Sequence, residues 1–600
     1  TGETLEPLKS VANSTYASTK SNLATMFVER TVKNLKPNGF SAFLLKDSWL
    51  FLSRYENMRS MLFKQNTIEC LAHLARGIIP DQHRMNAVVL RHATLPDYKA
   101  RYCLTELHDL TTDSPDGNDQ LPTPCSFPID NDRLSTNTLS RMKIVPTKPV
   151  SYWVDSALQS AFTLGTPFNK AVDTERLGKN VSRDEFVRQW YELEISHCAI
   201  ESNQDQSAPW CQLVTGGSLR RWYGNLDAFV NTSAVDCNQV QEEANTWTAL
   251  TSTFNTRVVP ENSYFDASGP CFSQGGDKET RQFLLGLTNS NVFDALVHVI
   301  YPENVLGSMR PKDLANLPIV DIYKTEISEN IEQLILLAKE DWHSIETSWG
   351  FKTSPWLDTN FDGTNNELEV QYQTLENKIR DFIKRVSELE TGVNEYVILS
   401  YKLEEVFSAD ILNSELAYHN NPYYLKPIET GQSNEEYEQD IWGSYRTNMV
   451  QALISYGIGC VLGRYRVGKT GVTYAGSAGQ DFNEIYDSEK SAYKPDEDGI
   501  VPLTDIAWFK DDAAECFRDW LKVTFGVDML DKNMQFLSES ILILLPNSLG
   551  EKSPFEILRN YLVVKFYKHH VDSYQKKPIY WLFSSGKQKA FECLVYLHRY

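Results

Sequence analysis

Residues 21–45 read SNLATMFVERTVKNLKPNGFSAFLL, and this stretch decides the fold class at the start of the chain. Leu23, Phe27, Val32 and Leu35 recur near the helical period, so Ser21–Lys36 is expected to form a helix. Pro37-Asn38-Gly39 ends it. Phe40–Leu45 then runs almost continuously apolar, as a strand buried on both faces does. Working outward, Tyr55–Phe63 reads as a helix, and Thr67–Leu74 and Asn86–His92 read as strands. Helix, strand, helix, strand, strand is the order of an α/β domain, here cut at its start.

The chain has 600 residues, which suggests about three to five domains. A hydrophobic share of 42% with 23% charged residues excludes a disordered chain. The formal charge of −21 argues at first against a nucleic-acid partner. It is unevenly spread: residues 1–150 carry a net +3, residues 151–325 a net −8 and residues 326–600 a net −16. No apolar run reaches the ~18 residues needed to span a bilayer, Ile454–Leu462 being the longest. The ten cysteines form no CxxC pair and no metal-ligand spacing, so reduced thiols, a cytoplasmic location and no metal are expected. The chain opens on Thr1 with no signal-like segment, so a longer parent protein is expected.

Five segments can be told apart along the chain. Residues 1–110 form the α/β segment. Residues 111–150 are rich in Pro, Asp, Ser and Thr and read as a linker or insertion. Residues 151–325 mix short strands, helices and Gly/Asn turns, an α+β segment. Residues 326–440 contain an apolar seam at Leu368, Tyr372, Leu375, Ile379, Phe382, Val386, Leu389, Val393 and Tyr396. Its alternating spacing of four and three predicts a helical hairpin or coiled-coil arm, closed more readily within the chain than with a second copy. Residues 441–600 are expected to be mainly helical.

Two motifs read as accidents of sequence. Gly463–Thr470 fits the phosphate-loop pattern GxxxxGK[ST] and would make the chain an ATPase. Such a loop needs a strand before it and a helix after it. Here the preceding Met449–Leu462 reads as a helix and the following Gly471–Gly476 as a turn. Asn420-Asn421-Pro422-Tyr423-Tyr424 has the flavour of a base-flipping amino-methyltransferase loop but lacks a proline and sits between helices, so a plain turn is expected.

The ordered strings Asn22-Leu23, Phe27, Glu29, Leu35–Phe40, Ser48-Trp49-Leu50 and Asn86–Arg91 resemble the second half of the catalytic domain of gamma-class adenine DNA methyltransferases. The likeness continues through Gly178-Lys179-Asn180, Arg183–Tyr191, Gly216–Asn225, Leu314–Ile319, Asp341–Trp349, Gln575–Lys587 and Tyr596–Tyr600. That set is similar to the PglX-type adenine-specific methyltransferases of BREX bacteriophage-defence systems. The resemblance implies a Rossmann-like methyltransferase remnant, an α+β target-recognition domain over 151–325 and a mainly helical C-terminal domain. It also implies methyl transfer from S-adenosylmethionine to the exocyclic amino group of adenine at a specific duplex site, marking self DNA. The implied partners are double-stranded DNA, other phage-defence proteins and a phage-encoded DNA-mimic inhibitor, with no membrane. The family's glycine-rich cofactor loop and Asn-Pro-Pro-Tyr catalytic loop are not among these residues and are expected upstream of Thr1, so this chain alone is expected to be inactive. A second reading is a non-catalytic DNA-recognition and assembly subunit of a defence complex.

Under that resemblance, His92 stands where the family places an aromatic against the flipped adenine. Extruding a base requires phosphate anchors and base-edge readers. Lys179, Arg183, Arg188, Arg220, Arg221 and Arg257 are candidate anchors or guanine readers, Asn180 and Asn225 candidate adenine readers, and Trp222 and Tyr223 candidate wedges. A second basic stretch runs through Lys565, Lys568, His569, His570, Lys576, Lys577 and Lys587. Phe566, Tyr567, Tyr574, Tyr580 and Trp581 lie between them, an interleaving that suits a nucleic-acid surface.

Overall fold

The computed structural model describes residues 6–74, 84–105, 133–172, 181–200, 208–235, 238–240, 242–248, 253–266, 269–272, 277–301, 309, 314–320, 325–357, 366–429, 431–476, 481–486, 491–546, 549–586 and 591–600. Lys179, Asn180, Lys587 and most of the 111–150 stretch lie outside the described residues.

Helix α1 spans Glu6–Thr15 and α2 spans Leu23–Lys33. Asn22 caps α2 by accepting from the Ala24 N–H at 2.9 Å, satisfying one of its free amides. Asn38, at φ 61°, turns the chain into β1, Phe40–Lys46. Helix α3, Glu56–Gln65, leads to β2, Thr67–Leu74, followed by β3, Met85–Arg91, β4, Ala100–Thr105, and β5, Leu134–Asn137.

The first sheet has the order β1-β3-β2-β4-β5. β3 runs antiparallel to both β1 and β2, so β1 and β2 are parallel with a reversed strand between them. Among the described residues nothing pairs with the outer edge of β1. Beside that edge Leu23, Phe27, Phe40 and Leu44 are each more than half exposed.

Residues 134–150 depart from the linker expectation. β5 pairs with β4, and Leu139, Met142 and Val150 are buried in the same core as β1–β3. Arg59, fully buried, binds this return by donating to Thr147 O at 2.8 and 3.0 Å. Buried apolar positions at this low density carry no clear period, so Pro and polar content dominate the sequence signal there.

Residues 181–272 build two further sheets. One orders the strands Asn238–Gln239, Tyr264–Phe265, Trp210–Val214, Ala228–Asn231 and Val187–Gln189, so Val187–Gln189 is an edge. The other has Ala244–Trp247 between Thr256–Val259 and Cys271–Phe272. Helices Lys278–Asn289 and Asn291–Ile300 pack beneath them, followed by the helix Thr325–His343.

The seam of the 34-residue helix Leu368–Tyr401 is used within the chain. Leu368, Tyr372 and Leu375 enter the core of the C-terminal part, and Ile383, Val386, Leu389 and Val393 enter the core of the two middle sheets. One helix therefore joins two cores, which explains a heptad spacing without a partner helix from another chain. Residues 500–596 add a three-stranded sheet, Ile500–Leu503, Glu592–Tyr596 and Tyr580–Ser584, to the helices around them.

No single helix among the described residues is long and apolar enough to cross a membrane. Nor does any group of three or more His, Cys, Asp or Glu side chains there lie placed to hold a metal ion.

Candidate nucleic-acid interface

The segment Gly216–Asn225 is a clasp whose end, Trp222–Asn225, is buried. Gly217 sits at φ 72°, where an added Cβ would lie 2.6 Å from the Asn225 side chain. Gly224, at φ 127°, leaves room for Arg220 and Trp342. Trp222 (φ 69°) receives a hydrogen bond from Val258 N at its carbonyl and donates its own N–H to Thr256 O, both at 2.9 Å. The segment thus edges onto the strand Thr256–Val259.

That placement corrects six of the candidate DNA contacts. Arg257 is fully buried. Its guanidinium donates to Gly224 O (3.1 Å), Thr248 Oγ1 (3.0 Å), Thr215 O (2.6 Å) and Gly216 O (2.7 Å). Burial, with Arg220 nearby, pulls its pKa down to about 9. Asn225 donates to Gly216 O at 2.9 Å and Ser218 O at 2.8 Å, which spends its amide on the turn. Arg220 pairs with the buried Asp341 at 3.4 Å and lies 4.6 Å over the Trp342 ring. Arg221 pairs with Glu390 at 3.0 Å, and Trp222 Nε1 donates to the other oxygen of Glu390 at 2.8 Å. Tyr223 is buried edge-on against His343. These side chains fasten the two middle sheets to the helices Thr325–His343 and Leu368–Tyr401, and none of the six presents a free face to a duplex. Asp341 and Glu390 had no local signal, because they lie 121 and 168 residues from their partners.

His92 is also displaced from its implied role. It follows Arg91, which registers with Phe40 and Thr67, the first residues of β1 and β2. Ligands of open α/β sheets gather at the carboxyl ends of the parallel strands. His92 lies at the other end, with Nδ1 3.1 Å from Asn66 Oδ1. At the carboxyl ends stand Asp47 and His73 instead, 3.5 Å apart, with His73 Nδ1 3.0 Å from the Tyr152 hydroxyl.

The two accidental motifs are structural. The helix Asn434–Val461 runs into Gly463, Arg464 is fully buried against Tyr465 and Tyr596, and no helix begins at Lys469. Asn421 caps Pro422–Leu425, and Asn420 donates to Asp341 at 3.0 Å and Ser344 at 2.8 Å.

Two candidates keep exposed charge. Arg183 reaches solvent but pairs with Asp266 at 2.9 Å. Arg188, on the edge strand Val187–Gln189, is half-buried, and its Nη1 donates to the carbonyls of Val187 (2.7 Å) and Asp184 (3.0 Å). The fold brings Arg188 together with Trp210, Lys576, Lys577 and Trp581 around one open cleft. Sequence reading singled out Arg188 and the Lys576–Trp581 string separately; nothing short-range joined them or pointed to Trp210.

The cleft is rigidly built. Gln575 and Lys576 both adopt left-handed backbone, at φ 51° and 66°, so the chain leaves the helix Tyr567–Ser573 with its lysines turned outward. His570 Nε2, fully inside, accepts the N–H groups of Ile579 and Tyr580, each at 3.1 Å. Tyr191 donates its hydroxyl to Tyr574 O at 3.0 Å, and His598 lies 2.9 Å from Tyr191 O. Two parts of the chain almost 400 residues apart are thereby locked edge to edge.

Burial, with Arg464 and His569 adding, lowers the His570 pKa to about 3. Its folded value lies below the unfolded value near 6.5, so its contribution is intact above about pH 6.5 and is lost as pH falls toward 3. The linked loss is roughly 3 kcal/mol by pH 4. Urea unfolding of wild type should show this acid limb, and His570→Gln, which keeps an acceptor but does not titrate, should flatten it. Parallel acid limbs in the two proteins would contradict the assignment.

Fold and cleft together define a mixed α/β chain with a basic and aromatic face at the junction of its middle sheets and its C-terminal hairpin. The chain is homologous to PglX-type adenine-specific methyltransferases. It is 29% identical over 623 residues to the adenine-specific methyltransferase BrxX of Escherichia coli O9:H4 (strain HS), covering 99% of this chain and 48% of that protein. It is 27% identical over 624 residues to the adenine-specific methyltransferase PglX of Lacticaseibacillus casei (strain Zhang), covering 98% and 48%. The chain therefore spans about half the length of the curated relatives it matches. No family model matches it. Among solved structures, the Type IIL restriction-modification enzyme MmeI in complex with DNA overlaps 68% of this chain and 54% of its own, with a TM-score of 0.40 and 9% identity.

Proposed function

We propose that the protein carrying this chain is an adenine-specific DNA methyltransferase of PglX type, acting in the cytoplasm in bacteriophage defence. In this reading it transfers a methyl group from S-adenosylmethionine to the exocyclic amino group of adenine in a specific duplex site and so marks self DNA. The observation that carries the reading is homology over nearly the whole chain to two proteins named for that activity.

The first sheet supports it. An order in which a reversed β3 separates parallel β1 and β2, with an unpaired β1 edge and exposed apolar side chains beside it, suits the far end of a larger Rossmann-like sheet. Residues 151–325 then act as the target-recognition part, and residues 326–600 as the helical part that supports it. Other defence proteins, and a DNA-mimic inhibitor competing for the duplex face, are the partners this reading brings.

The turn that follows β1 does not fit a glycine-rich cradle for S-adenosylmethionine. The carboxyl end of β1 leads through Asp47–Tyr55, which has no glycine, so no phosphate-loop-like or cofactor-cradling turn stands there. No step of the transfer is assigned to a residue of this chain, whose part in the reaction is to bind and hold the duplex. The test is transfer of labelled methyl from S-adenosylmethionine to adenine in duplex DNA by the protein carrying this chain.

A further inference from the structure

The clasp at Gly216–Asn225 holds inside three of the six candidate cations, Arg220, Arg221 and Arg257. The charge has to be found elsewhere. We propose that the cleft formed by Arg188, Trp210, Lys576, Lys577 and Trp581 is a sequence-neutral anchor for the sugar–phosphate backbone of duplex DNA. This rests on the reading of the protein as a DNA methyltransferase and names where, on this chain, the duplex is gripped.

Charge is the first ground. Residues 326–600 carry a net −16, yet Lys576 and Lys577 are adjacent there and face Arg188 from another part of the chain. Among the described residues no carboxylate pairs with Arg188, whose hydrogen bonds go to backbone carbonyls. Lys576 is paired with Asp572 while its side chain is 73% exposed. Lys577 lies 3.8 Å from Glu192, a long separation for an ion pair. Glu192 already accepts the N–H of Gln189 at 2.8 Å, so it is held by a helix cap. Exposed ion pairs of this kind are worth about 0–1 kcal/mol, so phosphates can take over both lysines at little cost. Arg and Lys anchors that neutralise phosphates release counterions, which is where sequence-neutral affinity comes from.

The aromatic content is the second ground. Trp581 and Phe583 alternate on the outer strand of the C-terminal sheet and are 45% and 54% exposed. Large rings standing in solvent beside cations suit the apolar face of deoxyribose or an unstacked base. A core explanation fails for them, because Tyr580, on the opposite face of the strand, is the buried one.

Rigidity is the third. The left-handed pair Gln575 and Lys576, the two amides held by His570 and the Tyr191–Tyr574–His598 lock fix the lysine turn against the edge strand that carries Arg188. Anchors fixed in this way lose little freedom on binding. The edge also belongs to the sheet that holds the recognition part together, so a backbone gripped here is kept in register with that sheet.

The experiment uses the full-length protein and a fluorescein-labelled duplex of mixed sequence, with affinity measured across a salt series. Arg188→Gln/Lys576→Gln/Lys577→Gln should lower the slope of log affinity against log salt by about 2 to 3, at about 0.9 for each phosphate no longer neutralised. The drop in affinity should be the same for a duplex containing the methylation site and for a scrambled one. Trp581→Ala should weaken binding with the slope unchanged. Lys576→Gln/Lys577→Gln, at exposed side chains, should melt with wild type, and the melting curve of the triple variant shows whether Arg188, half-buried on its edge strand, also holds the fold. If wild type binds the duplex and the triple variant keeps its affinity and slope, the anchor is overturned and the methyltransferase reading survives. If wild type binds no duplex at all, both fall. Retained duplex binding with lost retention on polyglutamate would assign the cleft to an acidic protein and also overturn the anchor.

Discussion

Arg257→Met is expected to destabilise the two middle sheets by about 2–6 kcal/mol, from about 1–3 kcal/mol for each of two buried carbonyls left unmatched. The reason lies in what the guanidinium holds. It gathers the carbonyls of Thr215, Gly216 and Gly224 and the hydroxyl of Thr248 in a site with no solvent. Methionine fills much of the volume but donates nothing, and each buried acceptor left unmatched costs about 1–3 kcal/mol. Gly216 O keeps partners in Asn225 and Thr248, so the loss falls on Thr215 O and Gly224 O. Arg257→Lys should recover little, because one ammonium cannot span a fork whose ends reach separate carbonyls. The readout is thermal unfolding with limited proteolysis within residues 181–272. A variant with an unchanged melting curve but weakened DNA binding would make Arg257 a DNA contact and contradict its burial in the clasp.

Glu390→Ala should be of similar size and separable from it. Glu390 is 3% exposed and takes three donors: Arg221, Trp222 Nε1 and the Tyr418 hydroxyl. Alanine strands all three at once, and about 3–5 kcal/mol is expected. Glu390→Gln keeps an oxygen for Trp222 and Tyr418 but leaves Arg221 without a counter-charge, so a smaller loss of about 1–2 kcal/mol is expected. Adding Arg221→Ala to Glu390→Ala should then cost less than the sum of the two, with coupling of about 1–3 kcal/mol. Strict additivity would mean that the pair does not interact in solution. Through Glu390 the clasp ties the two middle sheets to the long helix Leu368–Tyr401.

Local signals in the chain located the elements well. The apolar run at Phe40–Leu45 became β1, Thr67–Leu74 became β2 without a shift, and the heptad seam became one continuous helix. Hydrophobic period acts over a few residues, so it is visible in a few residues. The β3 insertion between β1 and β2 was not visible, because strand order depends on pairing across tens of residues. Site residues were less legible for a sharper reason. A string such as Arg220-Arg221-Trp222-Tyr223 looks the same in sequence whether it faces a phosphate or a buried glutamate. Glu390 decides the matter from 168 residues away. Conversely, Arg188 and Lys577 line one cleft across two remote segments that Tyr191, Tyr574 and His598 help to join.

The charge distribution takes on a definite meaning through those pairings. Some of the acid in residues 326–600 is buried and paired across long stretches of chain, as Asp341, Glu390 and Asp512 are with Arg220, Arg221 and Arg559. A strongly negative chain can therefore still hold a local positive cleft, and net charge alone says little about where a polyanion could lie.

The most direct test of the central claim is methyl transfer by the purified protein carrying this chain. Tritiated S-adenosylmethionine is supplied with duplex DNA, and the labelled base is identified after digestion. Label is expected on the exocyclic amino group of adenine, confined to one sequence context. Folded protein that binds duplex DNA yet leaves adenine unlabelled, or that labels cytosine instead, would contradict the claim.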